Sequence, residues 1–161
     1  MLDFSSVRLE VPADSNLILG QTHFIKTVED LYEAVVNTVS QAKFGIAFNE
    51  ASGPCLTRHE GNDDELRQVA IRNAQAIGAG HIFVVIIRNA FPINLLNTIN
   101  QVPETCSIFC ATANPLEVIV AETEQGRGVM GVIDGSGPKG VEGREEATVR
   151  RDFLRKIGYK R

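Results

Sequence analysis

Residues Ile82–Ile87 read IFVVII, an apolar run with no polar interruption. A strand with one face in water alternates polar and apolar side chains, whereas a strand covered on both faces does not. This segment therefore needs packing layers on two sides. A chain of 161 residues can supply them around one core.

The flanking sequence reads as strands alternating with helices. Val7–Val11 alternates as a half-exposed strand, and Leu17–Ile25 is a second strand, interrupted by Gly20. Thr27 opens a capping-box variant, TVED, and the stripe Leu31, Ala34, Val35, Thr38, Val39 predicts a helix to about Ala42. Lys43–Asn49 is a strand, SGPC its turn and Leu56–Arg58 a short pairing segment. Asn62 caps a helix that runs to about Ile77, where GAG stops it. Pro92 opens a short helix to about Gln101. Ser107–Ala111 and Glu117–Thr123 are strands joined by TANP, Gly128–Asp134 is another, and Arg144–Ile157 is an amphipathic terminal helix. The expected fold is a single α/β domain over residues 1–161, a mixed sheet flanked by helices, with Phe83–Ile87 at its centre.

Composition narrows the function classes. A net charge of −4 argues against affinity built on phosphate neutralisation, so no nucleic-acid partner is expected. The start, MLDFSSVRLEV, has no basic segment followed by a long apolar one, and no apolar run approaches the roughly 20 residues of a membrane span. Three cysteines, Cys55, Cys106 and Cys110, form no CxxC pair, which fits reduced thiols in a cytoplasmic protein. No ligand spacing suggests a dedicated metal site. Seven of the 14 glycines fall between Gly126 and Gly143. Yet no GK[ST] follows them, no helix follows GRGVMG, and protein-kinase motifs are missing, which excludes P-loop, Rossmann and protein-kinase readings.

Polar and glycine residues collect where apolar runs end, and strand ends in α/β sheets are where small ligands bind. His23 leaves a strand just ahead of a helix N-terminus, where free N–H groups favour an anion, or else it fixes the strand–helix corner. Lys26 can add a charge there. His81 follows GAG at the start of the buried strand, while His59 lies in RHEGND among acids. Arg58 approaches Asn62 and Asp63, and Arg127 stands between two glycines; each guanidinium can grip a phosphate or form a salt bridge. Thr112 and Asn114 can read an adenine edge or simply build a β-turn. Asp134 and Glu50 end apolar segments as turn caps or as ribose or Mg²⁺ ligands.

The phrases GQTHFIKTVEDLYEA, GIAFNEASGPCLTR, IFCATANP and GRGVMGVIDGSGPKGVEG, in this order, resemble the adenosine-specific kinases, small α/β proteins mostly of archaea and thermophilic bacteria. The resemblance runs from about Val7 to Arg161. It implies an adenosine or AMP ligand, ATP as donor, a stable phosphohistidine in the nucleoside site, and a homotrimer or homohexamer. His23 and His81 both fall in family phrases, whereas His59 does not. His23 is the preferred phosphoryl acceptor and His81 its rival, with Glu50, Arg58, Asn62, Asp63, Thr112, Asn114, Arg127 and Asp134 as substrate contacts. His23, His81, Thr112–Asn114 and Arg127 are expected to line one pocket. Two functions follow: a phosphotransferase working through histidine, or a non-catalytic adenine-nucleotide binding or sensing module.

Overall fold

A computed structural model describes residues 1–161. In chain order it contains β1 (Asp3–Arg8), β2 (Asn16–Thr22), α1 (Thr27–Thr38), β3 (Lys43–Asn49), β4 (Thr57–Gly61), α2 (Asp64–Ile77) and β5 (Ile82–Arg88). A 3-10 turn at Pro92–Asn94 leads to α3 (Leu96–Gln101), then β6 (Thr105–Thr112), β7 (Leu116–Glu122), β8 (Arg127–Asp134) and α4 (Arg144–Lys156). No helix is long and apolar enough to cross a membrane.

The α/β reading holds, and β5 is the central strand of a five-stranded sheet ordered β4-β3-β5-β2-β6. The expected mixed pairing does not occur. Every strand pairing is antiparallel, and β1, β7 and β8 form a separate three-stranded sheet. The reason is interleaving. β2 and β3, joined by α1, run parallel but are held apart by β5, which pairs with both. β4 and β5, joined by α2, are likewise parallel and separated by β3. Sequence shows the βαβ units but not that each is split by a strand from the other.

The unbroken apolar run of β5 is now explained by its two neighbours in depth. Ile82, Val84 and Ile86 join Leu17 and Leu19 in a core with α2 and the inner face of β7. Phe83, Val85 and Ile87 join Ile18 in a core with α1 and α3. Each fully buried aliphatic or aromatic side chain there contributes about 1.5–3 kcal/mol. The layers are thus α1 and α3, the large sheet, then α2 beside the small sheet. Gly45 lets α2 lie this close, because a Cβ at that position would stand 2.2 Å from the Arg67 backbone nitrogen.

Several boundaries move. β1 lies earlier than Val7–Val11, and α1 ends at Thr38. Thr27 is not the cap but the first helical residue, and its hydroxyl donates to the Phe24 carbonyl at 2.7 Å. Asp63, not Asn62, caps α2, accepting from the Leu66 N–H at 3.0 Å. Asn62 instead fastens the start of β3, accepting from the Phe44 N–H and donating to the Ala42 carbonyl, each at 2.9 Å.

Candidate functional site

Two strand ends bring the family-phrase histidines together. β2 runs antiparallel to β5, so the residues after Thr22 and before Ile82 meet at one end of the sheet. The backbone stitches them: the Thr22 N–H donates to the His81 carbonyl (2.9 Å), and the His81 N–H donates to the Asn49 carbonyl (2.8 Å). His81 holds a left-handed φ of +62°, a conformation that costs a non-glycine residue energy and collects at functional positions. Its ring stacks on Phe48, 5.7 Å between centroids, and meets the His23 ring edge-on at 6.0 Å. His81 is half-buried and His23 is exposed. His59, by contrast, points to solvent from β4.

Beneath His23 lies a group that the sequence did not reveal. The His23 N–H donates to the Glu104 carbonyl at 2.8 Å. The Glu104 carboxylate is almost wholly buried and lies 3.3 Å from Lys26 Nζ, which also pairs with Asp30. Only one Glu104 oxygen has a cation in reach, and neither accepts a geometrically sound hydrogen bond. Burial opposes the ionised form of Asp30, but the hydrogen bond from Lys26, the polar contact with Glu104 and the ammonium charge outweigh it and hold the carboxyl below its ordinary value. The Asp30 and Glu104 carboxyls, Asp30 first, hold the Lys26 ammonium above its ordinary value. Glu104 was illegible because VPET reads as an exposed turn between α3 and β6.

At the same end of the sheet, but lined by neither histidine, a polar cleft of about 770 Å³ opens between the β7–β8 hairpin tip and the turns around β3 and α2. Asn49, Glu50, Cys55, Gln75, Gly80 and Arg127 are among its walls. Buried Asn49 donates to the carbonyls of Ala74 (2.9 Å) and Ala79 (3.0 Å) and accepts from the Thr57 hydroxyl (2.8 Å), so it fixes the floor. Glu50 accepts from the Leu56 N–H at 2.8 Å and from Arg58 Nη2 at 2.8 Å. The Leu56 N–H, then Arg58, keeps the Glu50 carboxyl below its ordinary value. Arg58 is therefore neutralised within the β3–β4 hairpin. Arg127 spans the cleft mouth, its Nε 3.0 Å from Glu122 and its Nη1 3.4 Å from the Ala76 carbonyl.

The remaining candidates lie elsewhere. Thr112 pairs with Leu17 and Asp134 with Leu116, whereas Gln21 pairs with Ser107 and Glu122 with Arg127. Thr112, Asn114 and Asp134 thus stand at the opposite strand ends from His23 and Arg127, roughly 20 Å away at strand rise. Asn62 and Asp63 are at that far end too, because Gly45 pairs with Gly61. One chain therefore forms no single pocket from His23, His81, Thr112–Asn114 and Arg127. The far group satisfies itself: the Thr112 hydroxyl donates to Asp134 at 2.6 Å, and Asn114 Nδ2 donates to the same oxygen at 3.1 Å. Burial, with the Asp134 charge, pushes the nearby Cys110 thiol up to about 11, which keeps it protonated and unreactive.

A histidine pair and a nucleoside-sized polar cleft share one end of the sheet of a small α/β protein. The chain belongs to the adenosine-specific kinase family, whose model, described as "Adenosine specific kinase", matches residues 7–160. It is similar to the PH1918 protein of Pyrococcus horikoshii OT3, known from a crystal structure. The two are 48% identical with a TM-score of 0.96, and the match covers 100% of this chain and 99% of that one. No functionally curated protein matches it.

Proposed function

We propose that the protein binds adenosine or AMP in the Asn49–Arg127 cleft and transfers a phosphoryl group by way of a phosphorylated histidine. The observation that carries this reading is the pairing of two imidazoles, 6.0 Å between ring centroids, at the same end of the sheet as a cleft of nucleoside size. An imidazole nitrogen attacks the terminal phosphorus of ATP; the N–P bond forms as the P–O bond to ADP breaks. A hydroxyl of adenosine then attacks phosphorus, the N–P bond breaks, and the hydroxyl proton passes to the freed imidazole. His23 is the acceptor on this reading, being exposed beside Lys26 and the start of α1, while His81 orients it from the stacked position against Phe48. Arg127 grips the phosphate of AMP. Glu50 and Arg58 shape the cleft wall as a pair.

No three carboxylate, histidine or cysteine side chains converge as a cation cage. Mg²⁺ would arrive on the nucleotide phosphates, with at most one or two protein carboxylates. Thr112, Asn114, Asp134, Asn62 and Asp63 reach a ligand in this cleft only if a neighbouring copy supplies them. The protein acts in the cytoplasm as a homotrimer or homohexamer. Intact mass after incubation with ATP, with and without adenosine, tests the reading. A phosphoryl adduct that adenosine discharges to AMP supports transfer. An adduct that adenosine leaves untouched overturns transfer and supports the sensing module instead.

A further inference from the structure

The turn between α3 and β6 sends one buried carboxylate beneath the histidine pair. The Glu104 side chain is 5% exposed, and neither of its oxygens accepts a sound hydrogen bond. A buried charge without such bonds costs stability, and an uncharged isostere would fill the same space without that cost. Its single compensation is Lys26 Nζ at 3.3 Å. Thr22, immediately before His23, also buries a hydroxyl without a partner. Unsatisfied polar groups thus collect around one short stretch of backbone, the one that carries His23.

The backbones around this pair are fixed. Thr105, the residue after Glu104, donates its N–H to the Val102 carbonyl (3.0 Å) and its hydroxyl to the Ile99 carbonyl (2.7 Å). Thr27, the residue after Lys26, donates its N–H (3.1 Å) and its hydroxyl (2.7 Å) to the Phe24 carbonyl. The Glu104 carbonyl receives the His23 N–H at 2.8 Å, so one residue touches the histidine backbone and the lysine head together. Only the flexible stem of Lys26, half exposed, is left to swing. Asp30, one turn further along α1, draws the ammonium along the helix. Glu104 draws it back toward the strand end that carries His23.

We propose that Glu104 is a positioning residue, holding the Lys26 ammonium beside His23 for the oxygens of the phosphoryl group in transfer. The inference rests on the phosphotransfer reading with His23 as acceptor, and adds the residue that places its cation. Charge on a transferring phosphoryl group is best stabilised by donors already in place, and a lysine free among many rotamers contributes less. Two carboxyls around one ammonium leave no surplus positive charge to draw ATP from a distance. Lys26 therefore acts by placement, and its effect falls on the rate with ATP bound rather than on ATP binding.

Acid-labile phosphate uptake from labelled ATP by the full chain, followed in time and against ATP concentration, tests it. Glu104→Gln is expected to lower the rate at saturating ATP more than about tenfold and to move the half-saturating ATP less than about threefold. Its urea midpoint should equal or exceed that of wild type, because Lys26 keeps Asp30 and no buried charge is stranded. Lys26→Met should slow wild type more than about tenfold but slow Glu104→Gln less than about threefold further, since Glu104 acts through Lys26. Asp30→Asn leaves Lys26 on Glu104 alone and should keep the rate within about threefold. That variant also decides the matter should Glu104→Gln not fold, a loss of about tenfold overturning the proposal. Glu104→Gln labelling at the wild-type rate overturns it too. So does a slowing matched by lost stability, or one that multiplies in full with Lys26→Met. A wild type that takes up no label removes the phosphotransfer reading and the proposal with it, an outcome distinct from those in which wild type labels.

Discussion

His81 combines a left-handed backbone with a ring stacked between Phe48 and the edge of His23. Asparagine tolerates that backbone better than most residues. His81→Asn is therefore expected to keep stability within about 1 kcal/mol while removing the imidazole, so any loss of phosphoryl transfer reports the ring rather than the fold; urea melts beside labelling check this. Glu50 gives a prediction in pH. Its folded-state carboxyl is held below its ordinary value, so its contribution is complete above the unfolded value and is lost as pH falls through the folded one. Glu50→Gln should thus be less stable than wild type at pH 7. In acid, well below the ordinary value of 4.5, urea melts of the two should converge.

At the scale of elements, Gly45 is where the close seating of α2 can be tested. A Cβ would lie 2.2 Å from Arg67 nitrogen and 2.3 Å from the Leu66 carbonyl carbon, both backbone atoms that cannot rotate away. Gly45→Ala should destabilise by about 3 kcal/mol, the upper end of overpacking costs, read by urea denaturation. Element types were legible because their signals are local. IFVVII marked the doubly covered strand, and the Leu31–Val35 stripe marked α1. The pairing was not local. Only the return of β5 between β2 and β3 decides that the ladders are antiparallel, and that choice depends on which layers fill which faces. Caps slipped by one residue for the same reason: Asn62 satisfied β3 instead of α2.

Across the whole molecule, the site was half legible. The phrases containing His23, His81, Glu50 and Arg127 do meet at one end of the molecule, the histidines through the β2–β5 ladder and Arg127 through a bridge to Ala79. Thr112, Asn114 and Asp134 looked equivalent in sequence, but strand direction carries them to the far end, and Glu104 carried no signal because its burial depends on α1 and β6 together. This division has a measurable consequence. Arg127→Ala should weaken AMP binding about tenfold or more, as loss of charge-assisted hydrogen bonds does. Asp134→Ala should leave it within about twofold by calorimetry if the contacts come from one chain. The most direct measurement is acid-labile phosphate incorporated from labelled ATP into His23→Ala and His81→Ala. The account predicts that His23→Ala takes up none, while His81→Ala still labels, though more slowly. Full labelling of His23→Ala with none in His81→Ala would contradict it and exchange the two roles.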